Sequence, residues 1–259
     1  MKARPETLTQ NIVAVSAEAA QCQEILEKQC ALVGINISRT QLLQFGRYFD
    51  LLTETNKVMN LTTLTSPQDV AVKHYIDSLL CYDKALMQGK KVIDVGTGAG
   101  FPGIPLKIYD PSLKLILLDS LEKRLKFLQE TVRQLQLQNV SFEHMRAEDG
   151  GRDKKLRGQA DIAVSRAVAR LSVLAEYCLP LVKKNGFFIA LKGSKYKEEL
   201  LEGEKALRIL GGSVTSVKEV ELPGLDDGRA IIVIQKIKDT PAIYPRTAGL
   251  TGKNPLGSS

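Results

Sequence analysis

VIDVGTGAGFPG, residues 92–103, decides how this chain folds. Val92 to Val95 is a short apolar strand with one acid, Asp94, inside it, and Gly96, Gly98 and Gly100 follow at alternate positions. Glycine turns through positive φ without strain and lets the backbone approach a ligand with no Cβ between them. In open parallel sheets the ligand crevice lies beyond the carboxyl ends of the strands. A glycine turn directly after a strand therefore marks a binding site.

The texture on either side agrees. Below the turn, LKLILLDS is a second strand, and Leu121 to Leu137 is a helix with Leu121, Leu125, Leu128, Val132 and Leu135 on one face. VSFEHMR and ADIAVSRA are third and fourth strands. LSVLAEYCLPLVKKNG reads as a helix ending at Gly186, GFFIALKG as a fifth strand, and EELLEGEKALRILGG as another helix. Strand and helix in alternation build a parallel sheet covered on both faces. VTSVKEVELP and RAIIVIQKI, joined by the short turn at LDDG, must pair antiparallel, since parallel neighbours need a longer crossover. The fold expected is α/β and Rossmann-like, mostly parallel with a terminal antiparallel strand, as in class I methyltransferases.

Above the turn the pattern is helical. Leu42, Leu43, Phe45, Phe49 and Leu52 recur at three- and four-residue steps behind a candidate N-cap, Ser38. A third helix is expected in SPQDVAVKHYIDSLLCYDKAL, with Ser66 as cap and Pro67 at the first helical position. The expected division is a flexible extension at 1–23, a helical segment at 24–88, a ligand-binding core at 89–238 and a basic, extended tail at 239–259.

Two cofactors compete for the glycine turn. Gly98, Gly100 and Gly103 spell GxGxxG, and Asp119 follows roughly 20 residues on, as in nicotinamide dinucleotide sites. Against that, Asp94 lies inside the strand, and two prolines in FPGIP occupy the helix entry that would abut a pyrophosphate. S-adenosylmethionine has no phosphate to cradle and suits the turn better. Asp119, ending the second strand, is placed to accept from ribose hydroxyls. Ala147 and Glu148, after the third strand, are placed for an adenine edge.

Composition narrows the class. No apolar run approaches the roughly 20 residues that span a bilayer, so no membrane association is expected. Glu6, Gln10, Asn11 and Glu18 interrupt the N-terminus, against a secretory signal. Cys22, Cys30, Cys81 and Cys178 show neither CxxC spacing nor histidine partners, so neither a metal nor disulfides are expected, and the compartment expected is the cytoplasm. The net charge of +7 points toward a polyanionic partner.

With these residues in view, the chain resembles the bacterial 16S rRNA (guanine-N7)-methyltransferases, the glucose-inhibited division protein B family. The blocks that carry the resemblance are NLTTLTSPQDVAVKHYIDSL (60–79), VIDVGTGAGFPGIPLKI (92–108), LLDSLEKRLKFLQE (117–130), RAED (146–149), SRAVA (165–169) and ALKG (190–193). The resemblance implies methyl transfer from S-adenosylmethionine to N7 of one guanine in 16S rRNA, free or in the small-subunit particle. By motif, Gly96 and Phe101 would line the cofactor, with Asp119 and Ser120 at the ribose and Ala147 and Glu148 at the adenine. Arg166 would touch the ligand or the substrate pocket, and Arg124, Arg146 and Lys192 would contact RNA.

Guanine N7 has a lone pair and no proton to lose, so the reaction needs alignment rather than a general base. This suits a chain with two histidines and no His–acid constellation near the glycines. His74, Ser165, Arg166 and Lys192 are the positioning candidates. Ser165 or Asp77 could offset the charge of the methylated base, and Phe101 or Tyr75 could stack on it, although core packing is the commoner fate of such rings. Arg152, Lys154, Lys155, Arg157, Lys192, Lys195, Lys197 and Arg246 could line a rim for RNA phosphates. The alternatives are a small-molecule methyltransferase, a nicotinamide-dependent oxidoreductase and a methyltransferase-like RNA binder without activity. A monomer is expected.

Overall fold

LILL (115–118) and FFIAL (187–191) are apolar without a break, the mark of strands covered on both faces. In the computed structural model, which describes residues 15–166, 168–225 and 227–257, they lie inside a seven-stranded sheet. Its strands are β1 (Lys91–Val95), β2 (Lys114–Asp119), β3 (Val140–His144), β4 (Ala160–Arg166), β5 (Val182–Lys192), β6 (Gly212–Val220) and β7 (Arg229–Lys236). Their spatial order is β3-β2-β1-β4-β5-β7-β6. β1 to β5 run parallel, whereas β7 is antiparallel to both its neighbours, β5 and β6. The chain direction of winding reverses between β1 and β4, where open α/β sheets form their ligand crevice.

The helices are α1 (Ala17–Leu32), α2 (Arg39–Met59), α3 (Pro67–Asp69), α4 (Asp77–Leu79), α5 (Lys84–Met87), α6 (Gly103–Tyr109), α7 (Glu122–Gln134), α8 (Ala147–Gly150), α9 (Leu171–Cys178), α10 (Tyr196–Leu210) and α11 (Leu250–Lys253). Successive strand residues point to opposite faces, which sorts the core into two layers. Val92, Leu115, Leu117, Ile162, Val164 and Ile189 pack with residues of α1, α2, α6 and α7. Ile93, Val95, Ile116, Leu118, Ala163 and Phe188 pack with residues of α9 and α10. The N-terminal helices thus share a core with the sheet.

Local signals were read correctly where side chains cap backbone. Ser38 accepts from the Gln41 amide while the Gln41 side chain accepts from the Ser38 amide, closing a capping box on α2. Ser66 accepts from the Asp69 amide with Pro67 at the first helical position. The helix that follows is not the single α-helix expected. Val70–Ile76 forms a π-helix between α3 and α4, in which the Asp77 amide reaches back to the Val72 carbonyl. Such i-to-i−5 pairing is rare and concentrates at functional sites.

Three expectations need correction. The first helix starts at Ala17 rather than near Glu24, with Ala19 and Cys22 in the core, while residues 1–14 of the expected extension lie outside the described residues. α9 stops at Cys178 rather than at Gly186, because Pro180 has no amide to continue the ladder, and β5 starts at Val182. The tail is packed down. Arg157 donates to the carbonyls of Thr240 and Tyr244, Arg152 donates to that of Pro245, and Thr240 and Thr251 are buried.

Candidate active site

Beyond the ends of β1, β2, β3 and β4 the chain encloses a chamber of about 510 Å³. The glycine turn forms its floor. Gly96 and Gly98 sit at φ of +71° and +59°, and a Cβ on Gly96 would meet Val168 Cγ2 at 2.8 Å. The amides of Gly96 and Thr97 donate to the Leu118 carbonyl at 2.9 and 3.2 Å, which ties the turn to β2.

Asp119, at the end of β2, lines the chamber and is nearly fully buried. Its Oδ2 accepts from the Gly98 amide at 2.9 Å and stands 3.4 Å from Arg124 Nη1, and its Oδ1 accepts from the Leu121 amide at 2.9 Å. Oδ1, with one donor placed, has further acceptor capacity, so the group is held in place and can still accept from a ligand hydroxyl. Ser120 and Arg124 continue this edge. Next to it, where the Met145 amide donates to the Asp119 carbonyl at 3.2 Å, stand Arg146, Ala147 and Glu148 around the start of α8, faced by Tyr177 of α9. Burial, and then the neighbouring Glu148 carboxylate, push the Tyr177 hydroxyl up to about 12, so it stays a proton donor.

One wall is a stack of three side chains. The His74 and Phe101 rings lie nearly parallel at 17° with centroids 4.2 Å apart, and the Arg166 guanidinium is 4.9 Å from the Phe101 centroid. Arg166 donates to the Lys73 carbonyl at 2.9 Å, to Asp77 Oδ2 at 2.8 Å and to His74 Nδ1 at 3.0 Å. A guanidinium only donates, so Nδ1 carries the lone pair and Nε2 the proton, which points to Thr62 Oγ1 at 2.9 Å. Thr62 in turn accepts from the Leu64 amide at 3.0 Å. This chain of bonds runs from β4 through the π-helix to the loop at 60–66, whose Leu61 and Thr62 close the chamber. Burial, and then the Arg166 charge, push the His74 pKa down to about 3. The imidazole is neutral at any physiological pH.

A second chamber, of about 520 Å³, shares His74, Arg166 and Val168 with the first. It lies beyond β4 and β5 and against the start of β7. Asp77 stands there between two guanidiniums, with Arg229 Nη1 donating to its Oδ1 at 3.2 Å. Lys192 donates to the Ala169 carbonyl at 2.8 Å and lies 2.6 Å from Glu199 Oε2.

Gly96, Gly98, Phe101, Asp119, Ser120, Ala147, Glu148, His74 and Arg166 therefore meet in one chamber, and Lys192 lines the other. Several predicted residues are placed elsewhere. Asp94 is fully buried beneath the turn, where its Oδ2 accepts from Thr97 Oγ1 and the Gly103 amide, at 2.7 and 2.9 Å. It braces the turn from below. Gly100 turns away from the chamber, and a Cβ there would meet Tyr48 Oη at 2.7 Å, so it serves the packing of α2. Ser165 is buried and donates to the Val95 carbonyl, joining β4 to β1. Tyr75 lies in the helical core with its hydroxyl on the Phe45 carbonyl.

Of the residues expected at RNA, Arg124 and Arg146 line the first chamber, and Lys195 is exposed outside both. Arg246 is engaged with the fully buried Glu176, its Nη2 donating to Oε2 at 2.7 Å. Arg152 and Arg157 bind the tail's carbonyls. Arg157 and Arg246 hold the tail instead of forming a phosphate rim, and exposed Arg152 binds it through Nε alone. The sequence reading missed Thr62, Tyr177, Glu199 and Arg229 as lining residues. Thr62 lies in a block already singled out, but nothing in the spacing links Tyr177 to Glu148 or Arg229 to Asp77.

A family model described as rRNA small subunit methyltransferase G matches residues 41–226. A ribosomal RNA small subunit methyltransferase G of Lactobacillus johnsonii is 49% identical over 236 residues, which is 90% of this chain and 99% of that one. One from Geobacillus is 47% identical over 242 residues, 92% and 99% of the two chains. Among solved structures, a SAM dependent methyltransferase from Aquifex aeolicus aligns at a TM-score of 0.50 and 20% identity, covering 68% of this chain and 96% of that one, a likeness of fold. By the length of the model match and the identity of its relatives, this chain belongs to the rRNA small subunit methyltransferase G family.

Proposed function

We propose that this chain transfers a methyl group from S-adenosylmethionine to N7 of one guanine in 16S rRNA of the small ribosomal subunit. The observation that carries the reading is a pair of chambers meeting at one wall, the first with polar stations after three successive strands, the second open to an acceptor. Asp119, with Ser120 beside it, is suited to ribose hydroxyls, and Ala147 and Glu148 to an adenine edge. Volume and donor set both suit an adenosyl ligand, since chambers of this kind run from about 300 to 1,000 Å³.

Bound S-adenosylmethionine supplies a sulfonium methyl, which a nitrogen lone pair accepts with no proton to remove. The chain's own residues then have three tasks. Gly96, Gly98 and Phe101 shape the floor and wall. Arg166 and neutral His74 fix the loop at 60–66, which keeps water out and sets the line of approach. Asp77 holds the Arg166 and Arg229 guanidiniums in place at the wall of the acceptor chamber. Arg124, Arg146, Lys192 and Lys195 remain as RNA contacts in this reading, while Arg246 is taken by Glu176.

Residues 89–238 form the cofactor-binding core in this reading, and 24–88 supply its helical cover. A monomer is the working unit in this reading, and it is supported by both chambers being lined from one chain. An rRNA substrate supports the cytoplasm as the compartment. The test is methyl transfer from radiolabelled S-adenosylmethionine to small-subunit rRNA and particles from cells lacking this protein, mapped by N7-specific cleavage. Label at a single guanine is expected. Cofactor binding with no label in either RNA or particle would overturn the reading.

A further inference from the structure

The second chamber holds a donor and a carboxylate in an order that matches one base. Lys192 and Glu199 line it and not the first chamber, whereas Arg166, His74 and Val168 belong to both. Lys192 Nζ has three hydrogens and places two, on the Ala169 carbonyl and on Glu199 Oε2. Glu199 Oε2 also accepts from the Leu171 amide at 2.7 Å, and Oε1 takes no hydrogen bond among the described residues. The pair therefore presents a free donor beside a carboxylate with unused acceptor capacity, and the Leu171 amide and Lys192 hold that carboxylate still.

The Watson–Crick edge of guanine reads acceptor, donor, donor: O6, N1–H and the 2-amino group. Cytosine answers it with donor, acceptor, acceptor, and so does an ammonium next to a carboxylate. We infer that Lys192 and Glu199 select the acceptor base as guanine, Lys192 donating to O6 and Glu199 accepting from N1–H and the 2-amino group. Enzymes that act on an extruded base read it through this edge and pack its faces against apolar side chains. Leu64, Val168, Leu191 and Ile231 offer such walls in the same chamber.

The placement also orients the reaction. N7 lies on the opposite side of the purine from the edge that Glu199 would hold. With that edge at residues belonging to the second chamber alone, N7 faces the shared wall and the first chamber. Adenine presents a donor at position 6 and no hydrogen at N1, so it would set donor against Lys192 and leave the carboxylate unanswered.

This inference rests on the guanine acceptor proposed above, and its test separates the two. The full chain is given small-subunit particles reconstituted with 16S rRNA carrying guanosine or inosine at the target position, inosine lacking only the 2-amino group. The native chain should lose about tenfold in kcat/KM on inosine, as when one buried hydrogen-bonding group goes unanswered. In Glu199→Gln the amide oxygen stays with Lys192 and the Leu171 amide, so the NH2 takes the place of Oε1 and faces the donors of the base. That variant should lose about a hundredfold on guanosine, accept inosine equally, and bind S-adenosylmethionine as the native chain does. Lys192→Met should slow both substrates alike, since both keep O6. Equal rates on guanosine and inosine in the native chain overturn the pair while leaving guanine methylation intact, as does a native preference retained in Glu199→Gln. No label from the native chain on natural particles overturns the guanine acceptor, and the pair with it.

Discussion

His74 and Asp94 are both buried under the glycine turn's neighbourhood, and their protons pull stability in opposite directions. An unfolded imidazole takes up a proton near 6.5, whereas burial and then Arg166 hold folded His74 down to about 3. The unfolded chain thus binds more protons in that window, so the stabilisation is complete above 6.5 and is lost as pH falls. Asp94 is the reverse case. Burial first, opposed by the Thr97 and Gly103 hydrogen bonds, raises it from 3.8 to about 6, so the folded chain binds more protons between those values. Its contribution is lost as pH rises through 6. The stability difference between native chain and His74→Gln should therefore shrink as pH falls below 6.5, by at most about 1.36 kcal/mol per pH unit. Urea unfolding over a pH series reads it, and a pH-independent difference would mean that His74 titrates like a free imidazole. The residue was visible in VKHYIDS, but its tautomer and partners were not, because they depend on Arg166 arriving from β4.

At the scale of elements, the tail is joined to the molecule through α9. Glu176 is fully buried there and has Arg246 as its partner, bonded through backbone amide and guanidinium alike. Removing one partner of such a pair leaves a charge without compensation, typically about 3–5 kcal/mol, while replacing both with apolar residues is often neutral. Arg246→Ala should be destabilised by that amount in urea, and Glu176→Met with Arg246→Met should recover most of it. Equal loss in the single and double variants would show that the tail is held by other contacts. The glycine turn, all seven strands and the caps at Ser38 and Ser66 were legible because each is written in a few adjacent residues. The π-helix was not, since over seven residues its apolar spacing is that of an α-helix. Nor was the early start of β5, where VKK follows a proline with no alternation to announce it. Basic residues in the tail looked solvated because sequence carries no sign that Glu176 would be waiting beneath them.

For the molecule as a whole, the charge of +7 has fewer free cations behind it than the count implies. Arg157, Arg166, Arg229 and Arg246 are all engaged inside the protein. Lys154, Lys155 and Lys195 are exposed. Affinity for small-subunit rRNA should fall linearly with salt on logarithmic axes. Lys195→Ala should make the slope shallower by about 1, as expected for one phosphate contact, whereas Arg246→Ala should not change it. A filter-binding series measures both slopes, and an unchanged slope for Lys195→Ala would remove that residue from the RNA surface. The sheet order has a consequence for how the chain is made. Ribosomes deliver β6 before β7, yet β7 is the strand that joins β6 to β5. Until Lys236 has emerged, β6 has no neighbour in the growing sheet, and neither Arg229 nor Ile231 has reached the second chamber. A nascent chain can therefore complete its glycine turn and the first chamber's strands while translation continues, and the second chamber gains its last wall only once β7 has followed.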